Sequence, residues 1–167
     1  MNLMGKLIAT GALLVSMAGP ATALQPANGP VILTISGKIG EENTPGGAAF
    51  DLAMLKQLPQ QSFTTLTPWD KKPIKFTGPL LRDVLSAVKA SGSTIRALAL
   101  NDYVTSIPLE DAQKFDVILA YEMNDKIIPV KTKGPLFIVY PFDTQEELRS
   151  RVYYERSAWQ LRSMKIE

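Results

Sequence analysis

Neither cysteine nor histidine occurs anywhere in the chain, which bounds both how it can hold itself together and what chemistry it can do. Without thiols there is no disulfide framework, so the fold must stand on its hydrophobic core. Without thiolate or imidazole there is no Cys/His zinc site, no cysteine nucleophile and no Ser-His-Asp triad. Carboxylates, hydroxyls, amines, guanidinium groups and aromatic rings remain. The composition can supply the core: 46% of the 167 residues are apolar, a length that points to one domain. Such a domain buries on the order of two thirds of its unfolded surface.

The lack of disulfides matters more because the first residues read as an export signal. Lys6 is the only charged side chain ahead of a nearly unbroken apolar run over residues 7–18, and Pro20-Ala21-Thr22-Ala23 closes it with small residues. The run is shorter than the roughly 20 residues that span a bilayer, and Ala21 and Ala23 fit an A-x-A processing site, so cleavage is expected after Ala23. An uncleaved membrane anchor is the alternative. The ending has a bacterial character, so the mature domain, residues 24–167, is expected in the periplasm. Removal of Lys6 leaves that domain nearly neutral, and no basic run exceeds Lys71-Lys72. Nucleic-acid binding is therefore disfavoured.

Along the mature chain, residues 31–35 form a β-branched run stopped by Ser36-Gly37, and Pro45-Gly46-Gly47 marks a loop. Phe50, Met54 and Leu58, spaced by four and closed by Pro59, predict a short helix over 50–58. Residues 62–67 are strand-like, and 68–73 form a turn carrying Trp69. From Thr77-Gly78-Pro79 the pattern becomes helical, with Leu80, Leu81, Val84, Leu85 and Val88 in one stripe ended by Ser91-Gly92. Strands are expected over 95–100, 103–107, 115–123, 136–140 and 159–166, with Asn124-Asp125 as a tight turn. Residues 144–152 suggest a helix with Thr144 as cap and Glu147 completing a capping box, and Glu110-Asp111 after Pro108 a helix start. The result is a β-rich α+β domain with a mixed sheet, about three helices and roughly seven strands.

Each candidate for chemistry has a plain structural alternative. Asn101, Asp102 and Tyr103 sit between two strands, where a loop can present an amide, a carboxylate and a phenol; the alternative is an Asx-turn with a packed tyrosine. Trp69 is either a stacking platform for a flat ligand or a lid on the core. Lys133 precedes Gly134-Pro135 on a tight turn that is otherwise a solvated loop. Arg156, Ser157 and Trp159 combine a fork donor, a hydroxyl and an indole, or else a surface charge and a core tryptophan.

Four segments in order carry a resemblance: Phe76-Thr77-Gly78-Pro79-Leu80-Leu81-Arg82-Asp83-Val84-Leu85, Asn101-Asp102-Tyr103-Val104-Thr105-Ser106-Ile107-Pro108-Leu109, Val117-Ile118-Leu119-Ala120-Tyr121-Glu122-Met123-Asn124-Asp125 and Gly134-Pro135-Leu136-Phe137-Ile138-Val139-Tyr140-Pro141. Together they resemble the molybdopterin-binding domain of the sulfite oxidase family over about residues 60–166. The resemblance implies a sulfite-oxidase-like fold. It also exposes departures. The family's enzymes hold molybdenum by one cysteine upstream of the motif that Phe76 opens, where this chain has only Ser62, Thr64, Thr65 and Thr67, and a hydroxyl substitutes poorly for a soft thiolate. Phe137 stands where those enzymes typically have arginine.

Small periplasmic proteins of this fold that lack the cysteine and end in a segment like Ser157-Ala158-Trp159-Gln160-Leu161 look like binding proteins for free pterins, and their relatives report to the periplasmic part of an inner-membrane enzyme of cyclic di-GMP metabolism. The resemblance thus implies a non-catalytic pterin receptor with a membrane-sensor partner. A pterin asks for an aromatic face, an acceptor for its amino and ring N–H groups, and a donor to its oxo group. Trp69 or Trp159 can stack and Asp102 can accept, while Asn101, Tyr103, Ser157, Arg156 or Lys133 can donate. Asp102→Ala or Trp69→Ala is then expected to abolish pterin affinity. The alternatives are a molybdopterin-dependent oxidoreductase with a nonstandard metal ligand and a partner-binding module with an empty pocket. Residues 144–156, with acids, arginines and Tyr153-Tyr154, are a candidate partner surface or a solvated helix.

Overall fold

A computed structural model describes residues 23–167; all of the predicted leader but Ala23 lies outside the described residues. The chain runs β1 (Leu33–Gly37), β2 (Ala48–Phe50), α1 (Leu52–Gln57), β3 (Gln60–Thr65), β4 (Ile74–Pro79), α2 (Leu81–Ala87), β5 (Thr94–Ala99), β6 (Val104–Pro108), α3 (Leu109–Lys114), β7 (Ile118–Ala120), β8 (Glu122–Met123), β9 (Lys126–Ile127), β10 (Phe137–Val139), a 3₁₀ turn (Glu146–Leu148), α4 (Arg151–Arg156) and β11 (Leu161–Ile166). It is the β-rich α+β domain expected, but among the described residues its elements are shorter and more numerous, with four helices and eleven strands.

Three sheets share one core. The largest has the order β2-β1-β11-β5-β6, and it is mixed because β1 and β11 run parallel while its other neighbours are antiparallel. The second is β3-β4-β8-β9 and the third the pair β10-β7. Strands β7 and β10 are buried at every position, and Phe50, Phe76, Phe137, Tyr140 and Phe142 fill the interior around them.

Where the expected boundaries moved, a specific contact moved them. The first helix begins not at Phe50, which belongs to β2, but after Asp51, whose Oδ1 accepts from the Met54 N–H at 2.8 Å as an N-cap. Thr77, Gly78 and Pro79 are strand rather than the first turn of a helix. Ser62 pairs with Thr77 and Gln61 with Gly78 across the β3-β4 ladder, and a Cβ on Gly78 would overlap the Leu119 carbonyl, so the glycine permits β4 to lie against β7. The apolar stripe then emerges as α2, with Leu81, Val84 and Leu85 buried. Residues 115–123 divide at Tyr121: β7 pairs with β10, whereas β8 pairs with β4 and β9. Asn124 and Asp125, at φ 49° and 61°, form the expected two-residue turn. Thr144 caps nothing; its hydroxyl donates to the Pro141 carbonyl at 2.8 Å, and the helix expected over 144–152 is replaced by the 3₁₀ turn and α4.

Candidate functional site

Two loops and one helix end converge. The β3–β4 loop carries Trp69, the β5–β6 loop carries Asn101 and Tyr103, and the passage from α4 to β11 carries Tyr154, Glu155, Ser157 and Trp159. These seven residues line a cleft of about 240 Å³. Trp159 was expected inside the last strand, but Gln160 at φ 53° turns the chain before β11 begins and leaves the indole free to face Trp69. The two indoles meet edge to face, with centroids 5.1 Å apart and planes at 79°. Beneath them Phe137 packs against both, at 6.0 Å from each, and Tyr154 and Phe142 pack edge-on to Trp69.

Five of the eight residues singled out in the sequence, Trp69, Asn101, Tyr103, Ser157 and Trp159, therefore share one cavity. The β5–β6 loop is indeed an Asx-turn, with Asn101 Oδ1 accepting the Tyr103 N–H at 3.2 Å. The tyrosine is not packed away: it is 41% exposed, and its hydroxyl donates to the Glu155 carbonyl at 2.7 Å, tying the loop to α4. Ser157 is buried and donates to the Tyr153 carbonyl.

The other three are placed differently. Asp102 occupies the turn tip at φ 63°, a left-handed conformation that short polar residues tolerate; its side chain is 85% exposed, 3.6 Å from Arg162, and does not line the cleft. Arg156 turns inward rather than into the cleft, placing its guanidinium 2.8 Å from the Asp111 carboxylate. The same Asp111 oxygen accepts from the hydroxyl of fully buried Tyr140 at 2.7 Å, and burial, reinforced by Asp111, pushes that phenol well above its ordinary value. Asp111 thus does more than start α3. Lys133 does not line the cleft and is tied into the fold rather than left as a solvated loop residue. Its ammonium lies 2.8 Å from Asp70 and about 6 Å from the rings of Trp69 and Phe137, so it clamps the Trp69 loop from beneath.

Tyr154 and Glu155 were missed as site residues. The sequence groups Tyr154 with a candidate partner surface, although its position three residues before Ser157, the residue that ends α4, is a usable sign that the two lie close together. A larger groove, about 380 Å³, lies elsewhere and includes Ser62, Arg82, Gln113 and Lys114. Its cations pair with Asp116 and Glu147, and none of the eight residues reaches it.

The Asp70–Lys133 clamp beside the cleft is expected to make it acid-sensitive. Burial alone would raise the Asp70 carboxyl, but the hydrogen bonds from Lys133 and Thr67, with the lysine's charge, outweigh it and hold the group below its usual value. A depressed carboxylate contributes stability above its unfolded value, near 3.9, that is lost as pH falls through the lower folded value. Asp51 is lowered too, first by the Met54 and then by the Gly29 backbone hydrogen bond, so a local readout is needed. Tryptophan emission is expected to change as pH falls below about 4. In Asp70→Asn that acid transition disappears and the altered emission is already present at neutral pH.

Residues 32–142, about two thirds of the chain, match the family described as the oxidoreductase molybdopterin-binding domain, and the chain belongs to that family. Among curated proteins none matches closely enough to count as a relative.

The residues present do not fit the family's metal-bearing cofactor. No thiolate exists in the sequence, and three of the four hydroxyls at the expected ligand region are committed: Ser62 to Thr77 at 2.7 Å, Thr65 to the Asp143 N–H at 3.1 Å, and Thr67 to Asp70 at 2.6 Å; the fourth, Thr64, is exposed. Among the described residues no group of three His, Cys, Asp or Glu side chains comes together to hold a metal ion. Lys133 and Arg156 are already paired with Asp70 and Asp111.

Proposed function

We propose that the chain is an exported pterin-binding protein that holds its ligand without transforming it and passes occupancy to the periplasmic part of an inner-membrane enzyme of cyclic di-GMP metabolism. The observation that carries the ligand half is the convergence of Trp69, Trp159, Asn101, Tyr103 and Ser157 on one small cleft within a pterin-cofactor fold that lacks the ligating thiolate. At about 240 Å³ the cleft lies just under the roughly 300–1,000 Å³ of ordinary small-molecule sites. It suits a bare bicyclic ring better than a phosphorylated cofactor carrying a metal. Perpendicular indoles let a flat ring stack on one while meeting the edge of the other.

The export half rests on the leader-like N-terminus, and the partner half on the likeness to small periplasmic pterin-binding proteins. Helix α4 suits the relay. Tyr154 and Glu155 line the cleft while Val152, 51% exposed, faces solvent on the same short helix, so a ligand that shifts α4 changes a surface a partner can read.

The test is release. Protein purified from its natural host and denatured should yield a fluorescent pterin at near one equivalent, with no molybdenum. The second reading, an oxidoreductase that keeps molybdopterin by an unusual ligand, is favoured by the family match alone; stoichiometric molybdenum in that preparation would establish it and end the receptor reading. No pterin and no metal would favour a partner-binding module with an empty cleft.

A further inference from the structure

Several polar groups of the cleft are already engaged within the protein. The Tyr103 hydroxyl donates to the Glu155 carbonyl and the Ser157 hydroxyl to the Tyr153 carbonyl. Asn101 Oδ1 takes the Tyr103 N–H, which leaves the NH₂ of its carboxamide as a donor. Among the lining residues Glu155 is the sole carboxylate and there is no base. Its side chain is 55% exposed, with Oε1 accepting from Arg151 Nε at 2.6 Å, and among the described residues Oε2 has no hydrogen-bond partner.

We infer that Glu155 is the specificity-determining acceptor of the cleft, taking the adjacent amino and ring N–H donors of a 2-amino-4-oxo heterocycle, with the Asn101 NH₂ opposite the oxo group. This rests on the reading of the cleft as a pterin site, and it reassigns the acceptor role from Asp102, which stands outside the cavity. An ionised carboxylate is acceptor-only and matches two neighbouring N–H groups without leaving either unpaired. A ring that presents a carbonyl in place of the amino group sets an oxygen against a carboxylate oxygen and is rejected, because a site built on hydrogen bonds discriminates most strongly when a mismatch leaves polar groups unpaired. The cleft therefore selects the amino-oxo edge rather than flat bicycles in general.

Titration of pterin and of lumazine, the 2,4-dioxo analogue, against the natural sequence and Glu155→Gln tests this, read by tryptophan and ligand fluorescence. The natural protein is expected to prefer pterin by roughly 10–100-fold, the range of a hydrogen bond to a charged group. In Glu155→Gln, pterin weakens by a similar factor while lumazine holds or improves, since the new carboxamide can donate to the 2-oxo group, so the preference collapses or inverts. A Glu155→Gln protein with unchanged pterin affinity and an unchanged pterin-to-lumazine ratio overturns the assignment of Glu155 and leaves the pterin site standing. Equal weakening of both ligands also overturns it, showing a merely structural role. If the natural protein binds neither compound, the pterin reading itself falls and this inference with it.

Discussion

Asp111→Ala is expected to destabilise the domain by about 3–5 kcal/mol, the range for removing one partner of a buried ion pair. Asp111 is 6% exposed and takes two short hydrogen bonds on one oxygen, from Arg156 and from Tyr140, the latter with no exposed surface at all. Removing the carboxylate leaves a largely buried guanidinium without its counter-charge and an interior phenol without a partner, and each is costly apart from the lost attraction. Urea unfolding followed by far-UV circular dichroism measures it as a fall in the midpoint at constant slope. A change under about 1 kcal/mol would place this triad among ordinary surface pairs. Because Arg156 ends α4, and α4 supplies Tyr154 and Glu155 to the cleft, the variant should also bind pterin more weakly at temperatures where it remains folded. Arg156→Met keeps much of the stem's packing but leaves the still more deeply buried Asp111 carboxylate with only the Tyr140 hydroxyl, so it is expected to cost a comparable amount.

Trp69→Ala is expected to weaken pterin by roughly 10–100-fold, since a ring stacked on an aromatic side chain is worth about 1–3 kcal/mol. The indole is 37% exposed, so its removal should cost less stability than a core aromatic while taking away one face of the cleft. Trp69→Phe should recover most of the affinity, which separates stacking from collapse of the loop. Asp102→Ala serves as the contrast: it was expected from the sequence to abolish binding, but the side chain points to solvent, and affinity should stay unchanged. Fluorescence titration of the three variants decides the matter; equal affinity in Trp69→Ala and the natural protein would remove the tryptophan from the site.

The sequence revealed the cleft's aromatic walls but not its charged groups, for a physical reason. Trp69 and Trp159 are identifiable because a large ring beside turn residues has few places to go, and here both meet over Phe137. Asp102, Lys133 and Arg156 looked equally available, yet a charge is assigned by its partner, and the partners lie 60, 63 and 45 residues away, at Arg162, Asp70 and Asp111 respectively. Sequence spacing carries no information at that range. Glu155 escaped notice because an acid four residues after an arginine reads as an exposed helix pair, which it also is. In the fold, the α2 stripe and the Asn124-Asp125 turn were legible because local periodicity and backbone preference decide them. The division of residues 115–123 at Tyr121 was not, because it follows from strands belonging to two different sheets.

The parallel pairing of β1 with β11 has a consequence in time. Thr34 lies beside Ser163, and β11 is the central strand that joins β1 to β5, so the largest sheet cannot close until residues near 166 are available. An emerging chain holds two unjoined halves of that sheet, β2-β1 and β5-β6, until β11 has been made. Because β11 sits between β1 and β5, loss of that strand would open the sheet at its middle rather than at its edge.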